Sequence, residues 1–118
     1  MRKPIPTKAH GVLDYLSDGA LCALPRVLHW EPGATQLLTG AAAATLIYSA
    51  LTCYELGLVK VLPMPLHLAL DGGSGALLCG VALLSLREAR MQTRAGLVGI
   101  GLLEIAAATL TRAAPGTA

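Results

Sequence analysis

Residues Pro6-Thr7-Lys8-Ala9-His10-Gly11-Val12-Leu13-Asp14-Tyr15-Leu16-Ser17 decide the reading of this chain. Their polar skeleton is written again as Pro63-Met64-Pro65-Leu66-His67-Leu68-Ala69-Leu70-Asp71-Gly72-Gly73-Ser74. Pro, His, Asp and Ser recur at one constant offset, and Leu21-Cys22 recurs as Leu78-Cys79. Steps of four and three residues place His10, Asp14 and Ser17 on one helical face, and His67, Asp71 and Ser74 on the same face of a related helix. Both motifs lie in apolar surroundings, where ionisable groups are costly and mark function by default.

Working outward, four apolar runs have the length of a bilayer crossing, about 20 residues each. They cover about 9–28, 35–54, 66–86 and 95–111, and the second reads as the clearest span. Glu31-Pro32-Gly33, Pro63-Met64-Pro65 and the charged run Arg87 to Arg94 separate them. Gly40, Leu51 and Thr52 match Gly99, Leu110 and Thr111, so the repeat extends into the second helix of each pair. The expected fold is an all-α integral membrane protein of one domain, residues 1–118. Four transmembrane helices form two tandem helical hairpins, repeat 1 about 6–56 and repeat 2 about 63–112, related by a pseudo-twofold axis along the membrane normal.

Composition agrees with lipid as the solvent. The chain is 54% hydrophobic and 14% charged, against roughly 25% charged in soluble domains. It has no Phe, a net charge of +2, and no basic stripe interleaved with aromatics, which argues against nucleic-acid binding. Cys22, Cys53 and Cys79 lack Cys-x-x-Cys spacing and read as small packing residues. The side holding both termini carries Arg2, Lys3, Lys8, Lys60 and Arg112, and the other carries Arg26, Arg87, Arg90 and Arg94. The positive-inside rule then leans toward cytoplasmic termini in the inner membrane. The tail 113–118 reads as a short polar end, and His29 and Trp30 as an interface anchor on the far side.

Helix rise places Glu104 about 10 Å, and Asp71 about 9 Å, inward from the same side. Asp14 matches Asp71 in the repeat. The candidate site is therefore His10, Asp14, His67, Asp71 and Glu104. Three roles fit it: polar pairs that fix helix rotation, a divalent transition-metal site, and a proton path. No confidently assigned cofactor, glycine-rich phosphate loop or hydrolase triad accompanies these residues. The leading functional expectation is a non-enzymatic accessory subunit of a larger membrane complex, with lipid and other membrane subunits or further copies of the chain as partners. The alternative is a metal-binding or proton-handling membrane protein.

The stretches Pro6 to Tyr15, Leu51-Thr52-Cys53-Tyr54-Glu55-Leu56-Gly57 and Pro63 to Asp71 resemble bacterial SPW-repeat membrane proteins. The resemblance runs from about Pro6 to Thr111 and implies two-helix repeats in a small bacterial integral membrane protein. It supplies no reaction. Of the namesake Ser-Pro-Trp motif, the first repeat keeps only Pro25, in Leu24-Pro25-Arg26, and the second keeps neither Pro nor Trp.

Overall fold

A computed structural model describes residues 2–113; most of the tail, 114–118, lies outside the described residues. Four helices account for most of it: α1 (Thr7–Val27), α2 (Pro32–Ala50), α3 (Met64–Leu84) and α4 (Met91–Leu110). Proline sets three of the starts. Pro6 and Pro63 hold the extended N-cap positions of α1 and α3, and Pro32 occupies the first turn of α2, where no N–H is needed. The helix starts therefore fall earlier than the apolar runs suggest. Met64 is not a linker residue but a buried first-turn residue of α3.

The far end is built from local caps. The Trp30 N–H donates to the Pro25 carbonyl at 2.8 Å and the His29 N–H to the Arg26 carbonyl at 3.4 Å, with His29 at φ 54°. This is a Schellman stop with a left-handed residue just past the helix. It turns Trp30 inward. The ring is buried and lies on α4, where a Cβ added at Gly96 would sit 2.5 Å from it. Trp30 is thus a wedge between the hairpins rather than an exposed anchor. Glu31 then serves a second helix: it accepts from the Arg90 N–H at 2.5 Å and from the Thr93 hydroxyl at 2.6 Å, at the start of α4. These bonds pull its carboxyl down to about 2.

Helix α1 packs on α2, and α3 on α4 more closely still. The α3–α4 crossing is set by glycine. A Cβ at Gly75 would lie 2.4 Å from the Gly101 carbonyl oxygen, and one at Gly101 would lie 2.5 Å from that of Gly75. The rest of Gly72-Gly73-Ser74-Gly75 does not share this duty, since nothing lies within 4 Å of a Cβ at Gly73. Near the far end the core is apolar, built from Leu21, Trp30, Ala34, Leu38, Ala42, Leu78, Ala82 and Leu97.

At the terminal end the hairpins are strapped to each other. Ile5 exchanges bonds with α4's exit (Ile5 N–H to Leu110 O, 3.1 Å; Arg112 N–H to Ile5 O, 2.9 Å). Leu62 does the same with α2's exit (Leu62 N–H to Leu51 O, 2.6 Å; Cys53 N–H to Leu62 O, 2.7 Å). Ile5 and Leu62 stand at the offset of His10 and His67, so the same strap is used twice. The second one lies in the 51–63 connection, which is longer and more ordered than a simple turn.

The bundle is polar inside and apolar outside at mid-height. Leu16, Ile47, Leu77 and Leu103, one from each helix, are 60–71% exposed, while His10, Asp18, Ser49, His67 and Asp71 are buried. Helices α3 and α4 are long and apolar enough to cross a membrane. Helix α2 does not reach that hydropathy, because Gln36 and its hydroxyl residues dilute the alanines, and α1 is lowered by Lys8, Asp14, Asp18 and Arg26.

Two outcomes follow. Gly101→Ala forces α3 and α4 apart and costs about 1–3 kcal/mol, read as a lower thermal midpoint in detergent, whereas Gly73→Ala, with open space at its Cβ, does not lower the midpoint. Glu31→Gln lowers the midpoint at neutral pH. Because the folded carboxyl titrates below its ordinary 4.5, its contribution is complete above that pH and disappears as pH falls toward 2. Melting curves of the two proteins should converge over that window.

Candidate metal centre

The straps bring the paired motifs face to face. His10 Nε2 lies 2.8 Å from Asp71 Oδ2 and 3.2 Å from Asp14 Oδ1. His67 Nε2 lies 3.0 Å from Asp14 Oδ2 and 3.1 Å from Asp71 Oδ2. Each histidine therefore meets the aspartate one turn along its own helix and the aspartate of the other repeat. One ligand atom from each of the four residues falls within 4.8 Å of the others. The imidazole rings stand edge to face, 5.3 Å apart.

The outer nitrogens are fixed by threonines from just beyond the ends of α2 and α4. His10 Nδ1 is 2.7 Å from Thr111 Oγ1, and His67 Nδ1 is 2.7 Å from Thr52 Oγ1. Each hydroxyl in turn donates to a helix carbonyl, Thr111 to Ala107 at 2.5 Å and Thr52 to Tyr48 at 2.6 Å. A hydroxyl has one proton. With that proton committed to the carbonyl, the threonine oxygen is an acceptor, so Nδ1 carries hydrogen in both histidines. Both Nε2 atoms then face the carboxylates as lone pairs when the rings are neutral, and as N–H donors when they are protonated.

Tyrosines hold the carboxylates from behind. Tyr48 donates to Asp71 Oδ1, and Tyr54 donates to Asp14 Oδ2 at 2.8 Å. Burial pushes the Tyr54 hydroxyl far above its ordinary range, with the Asp14 charge adding to it, so it remains a donor. His67 Nε2, wholly buried, makes no aligned hydrogen bond despite its two close oxygens.

Bonds of about 2.0–2.1 Å at tetrahedral angles put neighbouring ligand atoms about 3.3 Å apart. The observed His–Asp separations of 2.8–3.2 Å approach that figure. Two imidazoles and two carboxylates form a donor set of intermediate softness, suited to zinc, iron or manganese.

Of the five residues singled out from the sequence, four meet here. Glu104 stands apart from the four-residue cluster, on the wall of a cavity that also reaches Asp71. Sequence reasoning passed over Asp18, buried one turn beyond Asp14 on the same face, and Tyr54. The Asp14–Asp18 spacing was a usable signal. Tyr54 had none, since the matching position in the second hairpin is Ala113. Comparisons with family models, curated proteins and solved structures find no match to this chain.

Thr52→Val removes the acceptor for the buried Nδ1–H of His67 and costs about 1–3 kcal/mol of stability. Thr52→Ser restores most of it, as denaturation of the two variants will show.

Proposed function

We propose that this chain is a non-enzymatic integral membrane protein that binds one divalent transition-metal ion between its two hairpins, in exchange for two protons. The observation that carries this is the pair of 2.7 Å threonine contacts to Nδ1, which turns both Nε2 atoms onto two carboxylates. Charge balance explains the exchange. Two imidazolium ions with two carboxylates are neutral, and so are two neutral imidazoles, two carboxylates and a divalent cation. A low-dielectric site tolerates either neutral state far better than a charged one. Four protein ligands also leave no open position, which is the arrangement of a holding site rather than a catalytic one.

The setting proposed is the bacterial inner membrane with both termini cytoplasmic, all four helices spanning it, and the hairpins related by a pseudo-twofold axis along the membrane normal. The repeated straps, the exposed leucines and isoleucine on every helix, and the polar interior support this reading. The stretches Pro6 to Tyr15, Leu51 to Gly57 and Pro63 to Asp71 support kinship with SPW-repeat proteins as part of this proposal. A second role, as a subunit of a larger membrane complex or of a homo-oligomer, draws on a separate observation. Gly19, Gly40, Gly73, Gly80 and Gly99 have nothing within 4 Å of an added Cβ. Bare glycines on outer helix faces allow another membrane helix to approach closely.

Calorimetric titration of the nanodisc-embedded protein with Zn2+, in buffers of different ionisation enthalpy, tests the central reading. One Zn2+ per chain with release of about two protons is expected, and His67→Ala should weaken uptake by about two orders of magnitude. No uptake, or uptake indifferent to His67→Ala, would contradict it.

A further inference from the structure

A cavity of about 370 Å3 lies between α1 and α4, above the point where His10 meets Thr111. Its volume is in the range of small-molecule sites, roughly 300–1,000 Å3. Most of its wall is apolar, with Leu13 and Leu24 from α1 and Ile100 and Leu103 from α4. Its polar wall includes His10, Asp14 and Asp71 of the metal centre and two carboxylates that the centre does not use, Asp18 and Glu104. Asp18 is 7% exposed; Thr45 donates to its Oδ1, while its Oδ2 has no partner. Glu104 Oε2 is likewise buried and without a partner.

The repeat explains how both carboxylates come to be there. Asp18 stands where the second hairpin has Gly75, and Glu104 stands where the first hairpin has Thr45. In the first hairpin the acid is on the leading helix, and in the second it is on the trailing helix. Because α1 and α4 are the helices that flank the cavity, this exchange puts both acids on its wall. His10 and His67 already face Asp14 and Asp71, and among the described residues no lysine or arginine lines the cavity to pair with Asp18 and Glu104.

We propose that this cavity binds a lipophilic amine, with its ammonium between Asp18 and Glu104 and its hydrocarbon body along Leu13, Leu24, Ile100 and Leu103. An ammonium brings several N–H donors, one for each orphaned carboxylate oxygen. A hydrated metal ion suits the site less well, because leucine and isoleucine walls cannot replace its water. A neutral acyl chain fills the apolar part and leaves both acids unmatched. The ligand class thus follows from the two features together. The cavity borders the metal centre, but neither Asp18 nor Glu104 is among that centre's four residues.

The test is fluorescence titration of the nanodisc-embedded full chain with dansylcadaverine, a lipophilic amine, and with the dansyl amide that lacks the ammonium. The wild type should bind the amine at least about 10-fold more tightly than the amide, and Asp18→Asn/Glu104→Gln should remove that preference. Ala107→Phe fills the cavity and keeps both acids; it should abolish binding of both probes, and it serves as the test if the double variant does not fold. Equal affinity for amine and amide in the wild type, an amine preference that survives in the double variant, or binding unchanged by Ala107→Phe would overturn the proposal.

Discussion

The structure depends on how two hydroxyl protons are spent. Thr52 and Thr111 each give their proton to the carbonyl one turn back in their own helix, and so can only accept from an imidazole. That fixes the hydrogen on Nδ1 of His67 and His10 and aims each Nε2 inward. The partners are crossed: the threonine after the first hairpin holds the histidine of the second, and the reverse. The backbone straps at Leu62 and Ile5 are crossed in the same sense. Neither hairpin can complete its polar end alone, so assembly of the bundle and of the centre are one event.

The remaining architecture follows from burying that centre. Two aromatic rings flank His67 within the four-residue centre, with Tyr48 and Tyr54 each about 5 Å from it. The apolar core is displaced to the far end, where Trp30 of the first hairpin packs on Gly96 of the second, while the Gly75–Gly101 crossing joins α3 to α4. The outer faces carry the leucines. The arrangement suits a bilayer, whose tails solvate the exterior while the protein supplies most of the partners for the polar interior.

Much of this was legible in the sequence, for identifiable reasons. Apolar runs between Pro- and Gly-containing breaks mark the helices, and four-residue spacing puts each histidine with its aspartate on one face. What the sequence hid was the geometry between the two hairpins. The spacing of Thr52 and Thr111 marks them as a repeat, but only the straps place them against the histidine of the other hairpin. Trp30 reads as an interface residue from its position between helices, and is buried because the left-handed His29 turns the chain inward. Glu104 lies on the cavity wall rather than among the four ligands, because the α3–α4 crossing sets it apart from them. Asp18 escaped notice because its repeat equivalent is a glycine. The departures from the repeat are as informative as the repeat itself, since they make one side of the bundle acidic.

The central claim is that both buried histidines carry hydrogen on Nδ1 and present Nε2 to the aspartates. It is most directly tested by 15N NMR of histidine-labelled protein in nanodiscs, with the exposed His29 as an internal reference. The account predicts that His10 and His67 both show a protonated Nδ1, and that added Zn2+ shifts their Nε2 signals while leaving the Nδ1–H in place. A neutral Nε2–H form at either residue, or Nε2 signals indifferent to the metal, would contradict it.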